Sequence, residues 1–486
     1  MIARRLTTRR AVIAAAVLAT VAAGTAITLS ANAGTNADGD APAASTPRVP
    51  EEMRAALRRD LSLTDAQLDA RLRREAWAAQ TARALRGTLG DEYAGAWLTG
   101  GQQLTVAVTD RALTDEVRAT GAQAAVVDRS ASELSTVKRA LDRRSGAASA
   151  SVTGWYIDPA TNTVVVRAAA GRTSAARTFV RNAGVDASDV RVLAEGATPR
   201  LLNRPKGEPT DPPEDTAAPE DPDETAPPEQ TAPPEQTEAP QEPTDPDAQA
   251  LRGGAPYIIG GQAVCSVGFA VEGGFVSAGH CGDEGDATAA EVGQELVALG
   301  EFQASQFPGS DFSFVATGDG FAPVGEVNSF GGENAGAADL GAPLTVAGSQ
   351  EAVVGTAVCK FGQTTGASCG EIQALNVTVN FADPENVAQT VAVGGLIGTD
   401  VCAEPGDSGG SLLAGDQAQG VVSGGSGNCQ QGGETFFQPV NEILETLNLT
   451  LLTAAGAGGE DAGADEEAGA EQDAGTDEEA GQNANQ

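Results

Sequence analysis

The chain has 486 residues, with 67 Asp and Glu against 30 Lys and Arg, a net charge of −37 and a single histidine. The length suggests two or three domains, each with its own core. The acidic balance argues against nucleic-acid binding, which needs cations along the phosphates, and one histidine excludes any metal site that requires two, including the HExxH zinc pattern.

Residues 1–33 have the layout of an export signal. Arg4, Arg5, Arg9 and Arg10 precede an apolar run from Ala11 to Leu29, and Ala31-Asn32-Ala33 is a small-residue cleavage site. The expected product is secreted and keeps no membrane insertion once the signal is removed; Thr8-Arg9-Arg10 leaves the Sec and twin-arginine routes both open. A polar leader fills 34–50.

Residues 51–203 read as a cysteine-free α+β region. Thr64-Asp65-Ala66-Gln67 is a capping box, so an Arg-rich amphipathic helix is expected through Trp77 and Leu85 as far as Gly87. Leu104–Val108 has strand character, Ser132–Arg144 is helical, and Val152–Asp158 with Thr163–Arg167 flanks a turn and predicts a hairpin. A last helix is expected over Arg172–Asn182, closed by Gly184. This region carries no catalytic constellation and is read as a binding or folding module.

Residues 204–257 are dominated by Pro, Glu, Asp and Thr, with TAPPEQ occurring twice in succession from Thr225 and Thr231. Such a segment cannot bury a core and is expected to be an extended linker. In 258–450, short apolar runs separated by Gly-rich turns predict an all-β sandwich or barrel, with one terminal helix over Val440–Leu447. Residues 451–486 form an acidic tail. Charge is split between the halves. Residues 1–206 have 28 Lys and Arg against 20 acids, whereas 258–453 have 23 acids and Lys360 alone. A basic first half and an acidic second half attract each other.

All six cysteines, at 265, 281, 359, 369, 402 and 429, lie in the acidic β region. An even count in an exported chain reads as a disulfide framework, with 15 pairings open.

Chemistry concentrates in Glu404-Pro405-Gly406-Asp407-Ser408-Gly409-Gly410-Ser411. Glycines on both sides of a serine allow a tight turn that exposes the hydroxyl and turns backbone N–H groups toward an attacked carbonyl. A serine hydroxyl needs a base to take its proton, and only His280, in Ser277-Ala278-Gly279-His280-Cys281, is available. A carboxylate should orient that histidine. Asp311 enters the apolar strand Phe312–Val315, while its competitors Asp319 and Asp339 sit in polar, loop-like surroundings. Gly406-Asp407-Ser408-Gly409-Gly410 also fits the G-x-S-x-G pattern, but that fold places its histidine after the serine, and none follows here. The order His280, Asp311, Ser408 is that of the chymotrypsin-like proteases.

On SAGHC (277–281), SDFSFV (310–315), VCKFGQTTGASCG (358–370), AEPGDSGGS (403–411), VVSGGSGNC (421–429) and TFFQPV (435–440), residues 258–450 resemble the streptogrisin and alpha-lytic protease branch of those enzymes. Residues 51–203 resemble, less sharply, the branch's pro-region, which assists folding and then inhibits. The resemblance implies two six-stranded antiparallel β-barrels and disulfides Cys265–Cys281, Cys359–Cys369 and Cys402–Cys429. It implies His280 as base then acid, Asp311 as orienter, Ser408 as nucleophile, and the N–H groups of Gly406 and Ser408 as the oxyanion hole. Ser423, Gly424 and Gly425 would pair with the substrate backbone. The implied partners are polypeptide substrates and the chain's own pro-region, in a monomer; the chemistry requires no metal or organic cofactor.

Two departures from the branch generate further expectations. A lysine, Lys360, follows Cys359 where an arginine is usual, and is expected to pair with Asp407; a rival partner is the new α-amino group of Ile258 after cleavage at Tyr257–Ile258. Glu434 stands where a small polar residue is usual: a buried carboxylate there would favour a basic substrate residue, an exposed one would do nothing. Self-maturation after Tyr257 would imply a preference for large apolar or aromatic residues before the scissile bond.

Overall fold

The protein is described by a computed structural model covering residues 49–194, 198–202, 204–205, 250–261, 263–293, 295–329, 342–382 and 389–454. The signal, nearly all of the leader, the linker body over 206–249, Asp339 and the tail beyond 454 lie outside the described residues.

The N-terminal region opens with helices α1 (Glu51–Leu61) and α2 (Asp65–Leu89). The capping box at α2 is formed: Gln67 N–H donates to Thr64 Oγ1 and the Gln67 side chain accepts from Thr64 N–H. The helix runs through Gly87 instead of ending there. Leu85 and Leu89 are four apart on one buried face, and the chain turns only at Gly90, whose φ of 53° a β-carbon would disfavour.

Next come β1 (Tyr93–Thr99), β2 (Gln103–Val108), α3 (Thr114–Ala119) and β3 (Gln123–Val126), the three strands forming one sheet. A second sheet holds the hairpin β4 (Val152–Asp158) and β5 (Thr163–Ala168), and β6 (Val190–Ala194) parallel to β5. It is covered by α4 (Ala131–Asp142) and α5 (Thr173–Asn182), with Trp155 packed on Phe179 at 5.0 Å between ring centroids. Two short strands follow, β7 (Arg200–Leu201) and β8 (Arg204–Pro205).

The C-terminal domain is all-β. Its first half contains β9 (Ala250–Gly253), β10 (Pro256–Ile259), β11 (Ala263–Ser266), β12 (Phe269–Val271), β13 (Gly274–Ser277), β14 (Ala287–Val292), β15 (Glu295–Gln306), β16 (Phe312–Thr317), β17 (Ala322–Val327) and β18 (Leu344–Thr345). Seven of these are hydrogen-bonded in the order β12-β13-β16-β15-β14-β10-β11 around Phe275, Phe302, Tyr257 and Val315. The second half contains β19 (Ala357–Gly362), β20 (Gly366–Ala382), β21 (Thr390–Thr399), β22 (Ser411–Ala414), β23 (Gln417–Asn428) and β24 (Gly432–Pro439), then α6 (Val440–Leu447). Its order β19-β22-β23-β24-β21-β20 closes through the β19–β20 pairing into a six-stranded antiparallel barrel.

The linker is shorter than its composition suggests. Residues 250–253 form β9 and 256–257 open β10, and Tyr257 is fully buried, its ring 5.2 Å from Phe275 and its hydroxyl donating to Ser277 Oγ at 2.9 Å. Ile258 and Ile259 are paired on both sides, with β11 and with β14, which no local composition signals.

The two regions share structure. Strand β4 adds to β20 in antiparallel register, Trp155 opposite Thr378 and Gly154 opposite Val379, so β4, β5 and β6 continue the barrel's sheet. Met53, Leu57, Leu68 and Leu72 of α1 and α2 lie in one apolar cluster with Phe361, Leu413 and Ile443. Polar contacts flank it: Cys369 N–H donates to Asp60 Oδ2 at 2.9 Å, Arg71 reaches Glu371 at 2.8 Å, Ala357 N–H donates to Glu75 Oε1 at 2.9 Å, and Lys138 Nζ donates to Thr378 Oγ1 at 2.8 Å.

Candidate active site

His280 stands on the one-turn helix after β13, Asp311 immediately before β16, and Ser408 in the turn before β22. The structure brings all three together. His280 Nε2 is 2.8 Å from Ser408 Oγ, and its Nδ1 is 2.8 Å from Asp311 Oδ2. Asp311 is fully buried and satisfied: Oδ1 accepts His280 N–H at 2.9 Å, Oδ2 also accepts Ser423 Oγ–H at 2.5 Å, and its own N–H donates to Gln438. A carboxylate held on several donors keeps its charge and direction without solvent. Asp319, the competitor within the described residues, is exposed.

The turn around Ser408 is set by contact distances. A β-carbon at Gly409 (φ +80°) would lie 1.9 Å from Ser277 Oγ and 2.6 Å from the Ser266 carbonyl, so only glycine fits between the halves of the domain. Ser266 was not singled out by sequence, yet it supports this turn twice: its N–H donates to the Ser408 carbonyl at 2.7 Å and its hydroxyl to the Gly406 carbonyl at 2.9 Å. Neither contact leaves a local sequence signal, because both reach across about 140 residues.

Lys360 and Asp407 meet at 2.9 Å, both with no solvent exposure. Asp407 also accepts from the N–H groups of Glu404, Thr364 and Thr365 and from the Thr365 hydroxyl. Burial alone would raise this carboxyl's pKa; the Lys360 charge and these hydrogen bonds outweigh it and hold the pKa below its ordinary value. In the uncleaved chain Ile258 is in mid-strand between Val264 and Ala289, and the cation on Asp407 is Lys360. The sulfur pairs are Cys265–Cys281, Cys359–Cys369 and Cys402–Cys429.

The cleft is filled by the chain itself. Strand β7 lies antiparallel to β23, with Leu201 opposite Gly424 and Arg200 opposite Gly425. Gly406 N–H donates to the Leu202 carbonyl at 2.9 Å. The Leu202 side chain is 3% exposed and belongs to an apolar cluster with Ala403, Val422 and Phe437. Beyond Asn203, β8 pairs with β11, Arg204 opposite Val264. The sequence did contain a faint signal: Leu201-Leu202 is the last apolar pair before the Pro- and Glu-rich stretch.

Glu434 does not line that cluster. Neighbouring strand residues point to opposite faces. Thr435 is buried, its hydroxyl donating to the Val401 carbonyl, while Glu434 is clasped by the Arg167 guanidinium through bonds of 2.7 and 2.6 Å. Of the two cases left open for this carboxylate, buried or exposed, the full chain shows neither: Glu434 is half-buried and serves as a docking point for the N-terminal region. Glu434→Gln is expected to weaken the affinity of the released N-terminal region for the catalytic domain by about ten- to a hundredfold, read from binding isotherms, since loss of a charged bidentate pair costs roughly 1.5–3 kcal/mol.

Three family descriptions match along the chain: alpha-lytic protease pro N-terminal at 66–127, alpha-lytic protease prodomain at 129–187 and trypsin at 249–447. Streptogrisin-C of Streptomyces griseus is 38% identical over 422 residues, 86% of this chain and 78% of that protein. The chain belongs to the streptogrisin and alpha-lytic protease family. Streptogrisin-D of the same organism is 33% identical, over 76% of this chain and 78% of its own length. A solved chymotrypsin of Cellulomonas bogoriensis is 51% identical and wholly covered by 42% of this chain, with a TM-score of 0.36. This member of the streptogrisin family is a serine endopeptidase with a chymotrypsin-like catalytic domain behind an alpha-lytic-type prodomain.

Proposed function

We propose that the enzyme hydrolyses peptide bonds through His280, Asp311 and Ser408, with a preference for a large apolar residue before the scissile bond. The observation that carries this reading is the Leu202 carbonyl seated on Gly406 N–H beside a Ser408 hydroxyl already bonded to His280. Ser408 Oγ adds to the carbonyl carbon while its proton passes to His280 Nε2. Asp311 holds Nδ1 and stabilises the imidazolium. The oxyanion rests on the N–H groups of Gly406 and Ser408; one such donor is worth about 3–4 kcal/mol of transition-state stabilisation. His280 then protonates the leaving amine, and water releases the acyl group from Ser408. Gly424 and Gly425 hold the peptide as an added strand next to Ser423, a contact that carries no side-chain requirement.

The apolar preference now rests on the buried Leu202 side chain rather than on Tyr257, which is a core residue. Among the described residues no group of His, Cys, Asp and Glu could hold a metal, and no helix is long and apolar enough to cross a membrane. The three disulfides fit an exported, monomeric zymogen whose N-terminal region blocks the cleft until it leaves. An inert peptide-binding homologue is the reading to exclude. Labelling by an organophosphonate should be stoichiometric at Ser408, and turnover of Leu and Phe substrates should exceed that of Arg and Glu substrates. Absence of labelling, or a dominant Arg rate, overturns the reading.

Release of the prodomain should depend on pH. Glu75 is buried where α2 meets β19; burial pushes its pKa up to about 7, against the opposing effect of Arg71. In a released prodomain Glu75 faces water and returns toward its ordinary 4.5. The bound form therefore holds a proton that the free form gives up, so affinity is full below pH 4.5, falls as pH rises from 4.5 to 7, and levels off above. Binding of the prodomain to a Ser408→Ala catalytic domain is expected to weaken by roughly two orders of magnitude between pH 5 and pH 8.

A further inference from the structure

We propose that Glu442 is a positioning residue for the hydrolysis: it fixes the one orientation of the Gln438 carboxamide that can receive the N–H of Asp311, and so sets where that carboxylate stands against His280. The inference rests on the reading of Asp311 as the group that holds His280 Nδ1, and adds to it the residue that decides its place.

Asp311 closes the loop 307–311 in the first half of the catalytic domain, yet much of what holds it belongs to the second half. Two residues before it, Gly309 N–H donates to the Ala392 carbonyl of β21, and the Gly309 carbonyl accepts from Gly394 N–H. Ser423 of β23 donates its hydroxyl to Asp311 Oδ2, and Asp311 N–H donates to Gln438 Oε1 at 2.9 Å. Gln438, near the end of β24, is fully buried. Behind it stands Glu442, in the first turn of α6. Gln438 Nε2 donates to Glu442 Oε2 at 2.9 Å, and the hydroxyl of Ser310, the residue next to Asp311, donates to Glu442 Oε1 at 3.3 Å. One half-buried carboxylate therefore grips the Asp311 segment twice, through Gln438 and directly at Ser310.

A carboxamide has an accepting end and a donating end. Asp311 N–H is a donor and can use only the oxygen. Turned by half a rotation, the Gln438 amide would set its NH2 against that N–H where no water reaches, and a buried donor would go unpaired. Glu442 forbids the turn, because an ionised carboxylate accepts and cannot donate. An acid in the first turn of a helix also stabilises that helix by its charge alone. Substitution separates the two roles. Glutamine loses the charge but keeps an acceptor for Gln438 Nε2. Methionine loses both. Lysine puts a donor in place of the acceptor and draws the amide oxygen away from Asp311.

Kinetics on a Leu peptide amide, with matured enzyme whose active sites are counted by the organophosphonate, tests this. Glu442→Met should lower kcat about tenfold and Glu442→Lys about a hundredfold, the loss that a shift of about 1 Å in a catalytic group can cause. KM should stay within about twofold, because the strand contacts at Gly424 and Gly425 are unchanged. Glu442→Gln should recover most of the kcat that methionine loses. His280 is the chain's only histidine, so its Nδ1–H proton can be followed by NMR without ambiguity. In full-length Ser408→Ala chain, where no maturation is needed, that resonance should move and exchange faster with water when Glu442 is Met or Lys, and return when it is Gln. A Gln variant as poor as the Met variant assigns Glu442 to helix charge alone and overturns the inference; parent-like kcat and Nδ1–H in the Lys variant do the same. Asp311→Asn tests the reading beneath and should lose about ten-thousandfold in kcat. If Asp311→Asn stays active, that reading falls and this one with it; if it is crippled while Glu442→Lys matches the parent, only the role of Glu442 falls.

Discussion

Ser408→Ala is expected to lower kcat by about a millionfold and to leave the full-length chain as one uncut polypeptide. Nucleophile and base act as a unit, so losing either removes nearly all that the set provides, and what remains over the uncatalysed reaction comes from the oxyanion donors and substrate binding. The substitution removes one oxygen from a site whose shape is set elsewhere: by Gly409 wedged against Ser277 and Ser266, and by the Lys360–Asp407 pair beneath the turn. The variant should therefore fold, keep its three disulfides and bind the prodomain with unchanged affinity. Those two readouts separate lost chemistry from lost structure. Residual turnover within a factor of a hundred of the parent would mean that another group attacks the carbonyl.

Lys360→Met should be the most destabilising single change in the catalytic domain. The pair is fully buried, and removing one partner strands a charge that the interior cannot solvate, at a cost of about 3–5 kcal/mol. In a domain of this size that lowers Tm by roughly 6–20 °C. The dependence on pH should change sign. In the parent, Asp407's depressed pKa contributes stability that is present above the ordinary value of 3.8 and is lost as pH falls through the lower folded value. Without Lys360, burial dominates and the folded pKa rises above the ordinary 3.8, so stability is greatest in acid and falls as pH climbs from there through the raised folded value. Adding Asp407→Asn should restore much of the loss, because the stranded charge is then gone. Thermal melts from pH 3 to 8 on the three variants would show it; parallel curves for Lys360→Met and the parent would refute the pairing argument.

Much of the site could be read from the sequence because its parts are chemically rare here. There is one histidine, one serine flanked by three glycines and an aspartate, and one lysine in the acidic half. Rarity forces the assignment even before geometry is known. The elements of the N-terminal region were legible for another reason: capping boxes and hairpin turns are local, and α6 begins and ends where its pattern does. What escaped was non-local. Strands β9 and β10 are four residues each, and they begin where a Pro- and acid-rich composition ends, so nothing in their own residues shows that both partners of Ile258 arrive from elsewhere. Leu202 reads only as the apolar end of the α+β region until β23 is placed beside it. Ser266 is an ordinary strand serine until the turn it supports, 140 positions further on, folds over it. The role of Glu434 stayed open in the sequence because it depends on which face of β24 the residue occupies, and register decides that.

The sheet that runs unbroken from β6 through β4 into β20 has a cost that falls on the finished enzyme. When the prodomain leaves, the backbone groups of Thr378 and Val379 that faced Trp155 and Gly154 lose their partners. Asn376–Phe381 then presents an uncharged rim rich in β-branched and aromatic side chains, without a lysine or proline to discourage a neighbour. Two mature molecules meeting rim to rim can bond there as the prodomain once did. Colloidal behaviour at high concentration, rather than catalysis, is where the departure of β4 should be felt most.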